Sequence, residues 1–377
     1  MNVDVIKELL EEKVLDKDRI IQLVESEMKI SLEKEICISE LKDCEFKIEI
    51  KHIVEETENP FKVYNEIDAK FDYLMNFLKT NDIDSLTITM IKALNNLKAS
   101  DYNAYLSFVN YFHRFDFWGT LNPDYGDYTT LKLRAEVMKK HIYDYIWLYK
   151  RLEDYLSKRT LFSILGNWLA LETKNLIDVK SIFRDYYEPD VFVSNENDVM
   201  VDCGAYDGDS ILSYVHAYGT NYKKIYAYEI SKETIKKLKD NIRNAKLHDV
   251  IIKNKGVGEK NEELYVDVNN DESANKLSGE IKGDKVEIVK LDDDIEDIIT
   301  FVKMDIEGAE QSALRGLRNT IKNDLPKLAI CVYHGYYDLH EIPELINSIN
   351  PNYKFYLRHN GGNLIPTEFV LLCKPIK

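Results

Sequence analysis

The spacing of apolar residues changes once along this chain, near residues 188–198, and the change decides what each half can become. Before it, apolar residues recur at three- and four-residue steps, as on one face of a helix: Ile6, Leu9 and Leu10, then Ile20, Ile21, Val24 and Met28. Asn59-Pro60 interrupts, and residues 61–78 resume the same period. Asp82 and Asp84 are placed to cap a helix carrying Ile88, Ile91, Leu94 and Leu97, and Asp101 to open another. Residues 119–128 read as a Gly/Asn/Pro/Asp loop. Residues 130–156 form one long periodic stretch, followed by shorter helices over 160–170 and 177–187. Beyond the change, strand-like and helix-like segments alternate: 198–202, 211–216, 224–229, 234–244, 250–253, 286–291, 301–305, 309–321, 328–333 and 339–349. Such βα alternation predicts a doubly wound α/β sheet. Two last strands, 354–358 and 368–373, flank a Gly/Asn loop and are expected to close the sheet as an antiparallel hairpin. The expected division is therefore a mostly α-helical domain over residues 1–155 and an α/β domain over 156–377, whose residues 156–195 are a helical lead-in.

Charge and cysteine usage narrow the class of partner. The 377 residues carry 50 Lys and Arg against 66 Asp and Glu, a formal charge of −16, which repels nucleic acid and anionic lipid. Hydrophobic residues make up 45%, with only 15 Gly and 8 Pro, which excludes a disordered or linker-like chain. Five scattered cysteines, Cys37, Cys44, Cys203, Cys331 and Cys373, make no CxxC pair or zinc-type cluster and read as reduced thiols. The first residues lack the basic and apolar regions of a signal peptide, and no apolar run approaches the roughly 18 residues of a membrane span. The expectation is a cytoplasmic protein without a membrane span.

The most informative stretch is VMVDCGAYDGDS, residues 199–210. A strand delivers Asp202, a tight turn follows at Gly204, and a helix starts near Gly208-Asp209-Ser210. In an open α/β sheet a ligand sits at the carboxyl ends of the strands, and this first turn is its usual anchor. The spacing is not GxGxxG, since the middle, pyrophosphate-facing glycine is absent. Asp207 and Asp209 would repel a pyrophosphate but welcome a cation, such as the sulfonium and ammonium groups of S-adenosylmethionine. The next strand ends in Glu229, where an acid is the expected partner of a ribose diol. The third ends in Lys255-Gly256-Val257-Gly258, which suits the border of an adenine.

Taken in order, DCGAYDGD (202–209), YAYE (226–229), VKMDIEGAE (302–310) and LAICVYH (328–334) resemble the FkbM-type S-adenosylmethionine-dependent methyltransferases. The resemblance covers roughly residues 155–377 and includes a lead-in, FRDYYEPDVF (183–192). Where the family has Gln-Tyr-Phe, this chain has Asp185-Tyr186-Tyr187, so no cofactor contact is assigned there. The resemblance implies a Rossmann-like class I methyltransferase sheet and S-adenosylmethionine as cofactor. Its cofactor-binding set would be Asp202, Gly204, Ala205, Tyr206, Gly208, Asp209, Ser210, Glu229, Ile230, Gly256, Val257 and Asp305.

Methyl transfer from a sulfonium is an in-line displacement, so the protein must align the acceptor and, for a hydroxyl, remove its proton. Asp305 ends one strand and is expected beside the methionine part of the cofactor, with Glu307 in the following turn. Glu310 reads as an ordinary acid at a helix start. His334 ends the next strand and is the first candidate for general base, the other reading being a histidine that only orients its neighbours. Asp305, Glu307 and His334 would also suit a divalent ion, but nothing in the spacing demands one and no metal is assigned.

An aromatic and polar cluster in the first half, Tyr111, Phe112, His113, Arg114, Phe115, Phe117, Trp118, Asn122, Tyr125 and Tyr128, fits either a sugar platform or an aromatic core, with the core favoured. The family resemblance points to O-methylation of a sugar, glycan precursor or glycan-linked small molecule. N-methylation of an amino sugar or of an amino-acid substituent of a glycan is the alternative. A non-catalytic cofactor-binding scaffold in glycan assembly is a further reading, and an NAD-dependent oxidoreductase is disfavoured by the missing glycine. Partners on these readings are the acceptor, glycan-assembly enzymes and a second copy of the chain.

Overall fold

The computed structural model describes residues 34–41, 45–52, 63–115, 118–183, 185–267, 276–278 and 284–376. The helical stretch expected over residues 3–28 and Phe117 lie outside them. An antiparallel hairpin of β1 (Lys34–Leu41) and β2 (Glu45–His52), which the periodicity did not signal, precedes the helices of a first half expected to be mostly α-helical. Helices then follow at Glu66–Thr80, Ile83–Ser100, Tyr102–Arg114, Thr129–Lys140, Ile142–Arg151, Tyr155–Ala170 and Thr173–Ile177. Asp82 caps the second through Ser85 N (2.8 Å) and Asp101 the third through Ala104 N (3.0 Å), each satisfying an otherwise unpaired amide of the first turn. The long stretch expected over 130–156 is broken at His141, which separates two helices.

The α/β half is built on a seven-stranded sheet. Its strands are β3 (Val199–Cys203), β4 (Lys224–Tyr228), β5 (Val250–Lys253), β10 (Phe301–Met304), β11 (Lys327–Cys331), β12 (Tyr353–His359) and β13 (Phe369–Pro375). The order is β12-β13-β11-β10-β3-β4-β5, with the five strands from β11 to β5 parallel and β13 antiparallel to both its neighbours. The terminal hairpin is therefore present, inserted so that β13 lies against β11. β3 and β10 are buried along their whole length, as strands covered on both faces must be. The chain order reverses between β3 and β10, which opens a crevice at their carboxyl ends.

A separate four-stranded sheet, β6 (Gly256–Val257), β7 (Glu262–Asp267), β8 (Lys276–Ser278) and β9 (Asp284–Val289), was not legible as such. The apolar run at 286–291 reads as one more strand of the main sheet, yet β9 pairs with β6 and β7 instead. A short apolar strand carries no sign of which sheet will take it. Among the described residues, no helix is long and apolar enough to cross a membrane. Cys203, Cys331 and Cys373 are free and buried, and burial pushes their thiols up, so they are packing residues.

Candidate active site

The turn after β3 is shaped by one close approach. Gly204 has φ +77°, and a Cβ built on it would lie 1.9 Å from the Asp305 carbonyl oxygen, so only glycine fits between the two strand ends. The amides of Gly204 and Ala205 both donate to the Tyr228 carbonyl at 3.0 Å, which ties the turn to the end of β4. Gly208, at φ +93°, begins helix Asp209–Tyr218 against Leu238 of helix Lys232–Asn244.

Glu229 lies beside that turn. Its carboxylate accepts from the amides of Tyr206 (3.0 Å) and Ser231 (2.8 Å), and burial raises its pKa although these amides oppose the shift. A carboxylate has about four acceptor sites, so these amides leave it capacity for a diol. Ile230 is half-buried against Val286 and Ile288. Asn254 donates to the carbonyls of Glu229 (3.0 Å) and Ile230 (2.9 Å) and holds the β4 end in place. Gly256 and Val257 are buried as strand β6, paired to Ile288 and Val289.

Asp202 faces the protein. It is fully buried, paired with Lys303 Nζ (3.1 Å) and accepting from Ser210 Oγ (2.5 Å). Burial raises its pKa against the pull of Lys303. Lys303 in turn donates to the Gly204 carbonyl (2.7 Å) and lies over the Tyr186 ring. Asp202 and Ser210 thus join β3, β10 and the helix N-terminus. Asp209 is exposed and, with Asp185, Lys180, Ser213 and Asn360, lines a cavity of about 440 Å³.

The ends of β10 and β11 carry a charged cluster. His334 is buried, with Nε2 3.2 Å from Asp305 and 3.7 Å from Glu307, and Nδ1 2.9 Å from Glu310. Burial works against its charge, yet Glu310 and Asp305 hold its pKa well above the usual imidazole value. Asp305 is held well below the ordinary carboxylate range, since His334 and Lys303 outweigh its burial. Surrounded by these carboxylates His334 is favoured as an imidazolium, which has no lone pair with which to take a proton; this geometry suits the orienting reading of His334, beside the general-base one. Glu310 is also more than an acid at a helix start, because its Oε1 accepts from the Ile306 amide (2.8 Å) and faces His334. Ligand atoms of Asp305, Glu307 and His334 lie within 4.8 Å of one another, near enough for a cation, although the imidazolium already supplies positive charge there.

Sequence reasoning missed three members of this cluster. Tyr186 donates to Asp305 at 2.5 Å, from the lead-in position to which no contact was assigned. Tyr333 donates to Glu368 at 2.9 Å and lies 3.4 Å from Asp305. Glu368 immediately precedes β13 at φ +54°, and burial together with Asp305 raises its pKa to about 7. Tyr333 and Glu368 lie next to strand ends, which is the only local signal for them, and Tyr186 lies in a turn of the lead-in. The helical half reaches the same edge: Trp118 Nε1 donates to the His334 carbonyl (2.6 Å), and Thr130 (2.5 Å) and Arg134 (3.0 Å) meet the Tyr336 hydroxyl. Trp118 and Phe112 are buried, so these two members of the aromatic cluster are core, while Tyr125 is exposed.

With the geometry established, likeness to known proteins becomes informative. Residues 202–356 match the family model of the methyltransferase FkbM domain. That stretch is an FkbM methyltransferase domain. The methyltransferase FkbM from Methylobacillus flagellatus KT is 26% identical, with 64% of this chain and 62% of that chain aligned at a TM-score of 0.54. This chain thus spans less than two thirds of that protein's length. An rRNA methylase from Streptococcus thermophilus aligns with 49% of this chain and 90% of its own at 14% identity and a TM-score of 0.33. A putative methyltransferase from Streptococcus mutans, solved in complex with SAH, aligns with 48% of this chain and 91% of its own at 15% identity and a TM-score of 0.31. No curated protein matches the chain in sequence.

Proposed function

We propose that this FkbM-domain protein is an S-adenosylmethionine-dependent methyltransferase acting on a hydroxyl of a sugar, glycan precursor or glycan-linked small molecule. The observation that carries the reading is the Gly204 turn locked to the β4 end, with Glu229 anchored beside it and acids on the side where a sulfonium would lie. The residues present fit that cofactor. Glu229 would hold the ribose hydroxyls, the half-buried Ile230 would border the adenine, and Asp209 and Asp305 would face the cationic end. When bound, S-adenosylmethionine supplies an electrophilic methyl group on sulfur.

The chain's own part is placement and proton removal. The imidazolium of His334 fixes Asp305, Glu307 and Glu310 relative to one another and can donate to an acceptor oxygen. Glu368, with a pKa near neutrality, is the group best poised to take a hydroxyl proton. An amine acceptor is the second reading, favoured by the same protonated His334, since an amine needs less help from a base. We further read residues 1–155 as an acceptor- or partner-binding layer, supported by the contact of Trp118 with the His334 carbonyl.

Calorimetry with S-adenosylmethionine, its demethylated product and NAD tests the cofactor assignment. Both sulfur compounds should bind and NAD should not. Glu229→Ala should weaken binding by about 1.5–3 kcal/mol, as for a lost hydrogen bond to a charged group. Tight NAD binding, or full affinity in the variant, would overturn it.

A further inference from the structure

A second group of metal-ligating side chains lies outside the crevice, where the helical layer meets the α/β layer. His141 is the single residue between helices Thr129–Lys140 and Ile142–Arg151, and its Nδ1 is 2.8 Å from Asp144 Oδ2. From the other layer, His340 on helix Asp338–Ile349 brings a buried imidazole against it, with ring centroids 4.1 Å apart and planes at 32°. One ligand atom from each of the three lies within 4.8 Å of the others. Two ligands of one zinc-like ion, each about 2.1 Å from the metal, are about 3–3.4 Å apart, so closing this triad needs only side-chain adjustment.

The donor set is selective. Magnesium and calcium take oxygen ligands, whereas two imidazoles with one carboxylate suit zinc, cobalt or nickel. His141 and Asp144 are half-buried, which leaves room for a water to complete the coordination. We propose that His141, Asp144 and His340 bind one divalent transition-metal ion of the zinc, cobalt and nickel class. Its place gives it a job: helix Asp338–Ile349 begins four residues after His334, and the connection carries Tyr336, already gripped by Thr130 and Arg134. The ion would staple the helical layer to the element that carries the active-site histidine. Without an ion, the same geometry is a His–Asp hydrogen bond at the helix junction with a second histidine stacked on it, and that arrangement binds no metal.

The test is titration of metal-free, full-length protein with Co(II) and then Zn(II), following visible absorption, bound-metal content and thermal melting. One equivalent of Co(II) should bind and be displaced by Zn(II), and the melting temperature should rise with metal concentration. His141→Asn and Asp144→Asn, both on a partly exposed helix junction, should melt as wild type when metal-free yet bind Co(II) more than tenfold more weakly. Glu307→Gln should bind it as wild type does. Absence of binding, retention of binding in both junction variants, or its loss in Glu307→Gln would each overturn the proposal.

Discussion

The two sides of the crevice are made of different material. On the β3–β4 side the shape is backbone: Gly204 pressed against the Asp305 carbonyl, and the amides of Gly204, Ala205, Tyr206 and Ser231 all satisfied by the end of β4, at Tyr228 and Glu229. On the β10–β11 side the shape is side chain: Asp305, Glu307, Glu310, His334, Tyr333, Glu368 and Tyr186, drawn from well-separated parts of the sequence. A backbone-built wall is rigid and intolerant of added volume. A charge-built wall tolerates changes of shape but not of charge. The two meet at Lys303, which holds Asp202 and the Gly204 carbonyl from the β10 side.

Breaking that meeting point should have the largest effect. Lys303→Met leaves Asp202 buried without its cation, a loss of about 3–5 kcal/mol. Denaturant unfolding measures it, and a loss below about 1 kcal/mol would mean that Asp202 is neutral in the fold. Gly204→Ala tests the backbone wall alone. Its methyl would meet the Asp305 carbonyl at 1.9 Å from a left-handed residue, so we expect about 2–4 kcal/mol of destabilisation and loss of S-adenosylmethionine binding. Wild-type stability in this variant would show that the turn can relax.

This contrast also explains what was legible in the sequence. DCGAYDGD and YAYE are each an unbroken motif, and the hydrogen bonds that shape the turn join the ends of the consecutive strands β3 and β4, so the fold and the Gly204–Glu229 side could be read directly. His334 and Asp305 could be placed at strand ends, but the protonation of His334 depends on Glu310, whose helix-start position reads the same with or without a partner. Tyr186 and Glu368 reach Asp305 only once the lead-in and β13 are folded against β10 and β11. The second sheet was hidden for a different reason, since the strand partner of 286–291 is a matter of topology rather than of pattern.

The charged side can be probed through pH. Glu368 faces Asp305, Tyr333, His334 and Asp185, and its folded pKa of about 7 lies above that of an unfolded glutamate. A raised carboxyl pKa means that the folded state binds the proton more tightly, so this group's contribution to stability falls as pH rises from about 4.3 to about 7. The raised pKa of His334 acts in the same direction above about pH 6.5, but it does so in wild type and variant alike. Glu368→Gln should therefore gain on wild type in melting temperature as pH goes from 5 to 8. A constant difference between the two proteins would remove the near-neutral carboxyl, and with it Glu368 as proton acceptor.

The smallest effect asks whether the helical layer supports the charged wall or merely covers it. Trp118→Phe keeps an aromatic ring against Tyr111, Phe112 and Tyr336 but removes the indole N–H that binds the His334 carbonyl. A single neutral hydrogen bond is worth about 0.5–1.5 kcal/mol, with some further loss from the smaller ring. If Trp118 only fills the core, stability falls by that amount and the His334 titration seen by NMR stays where it was. If it positions the strand end, Nε2 and Nδ1 shift relative to Asp305 and Glu310, and the pKa of His334 falls towards the ordinary imidazole value. We expect the second outcome, because the bond is made to the backbone of the very residue whose charge depends on contacts of 3.2 and 2.9 Å. An unchanged titration curve would reduce the helical layer, at this point, to a cover.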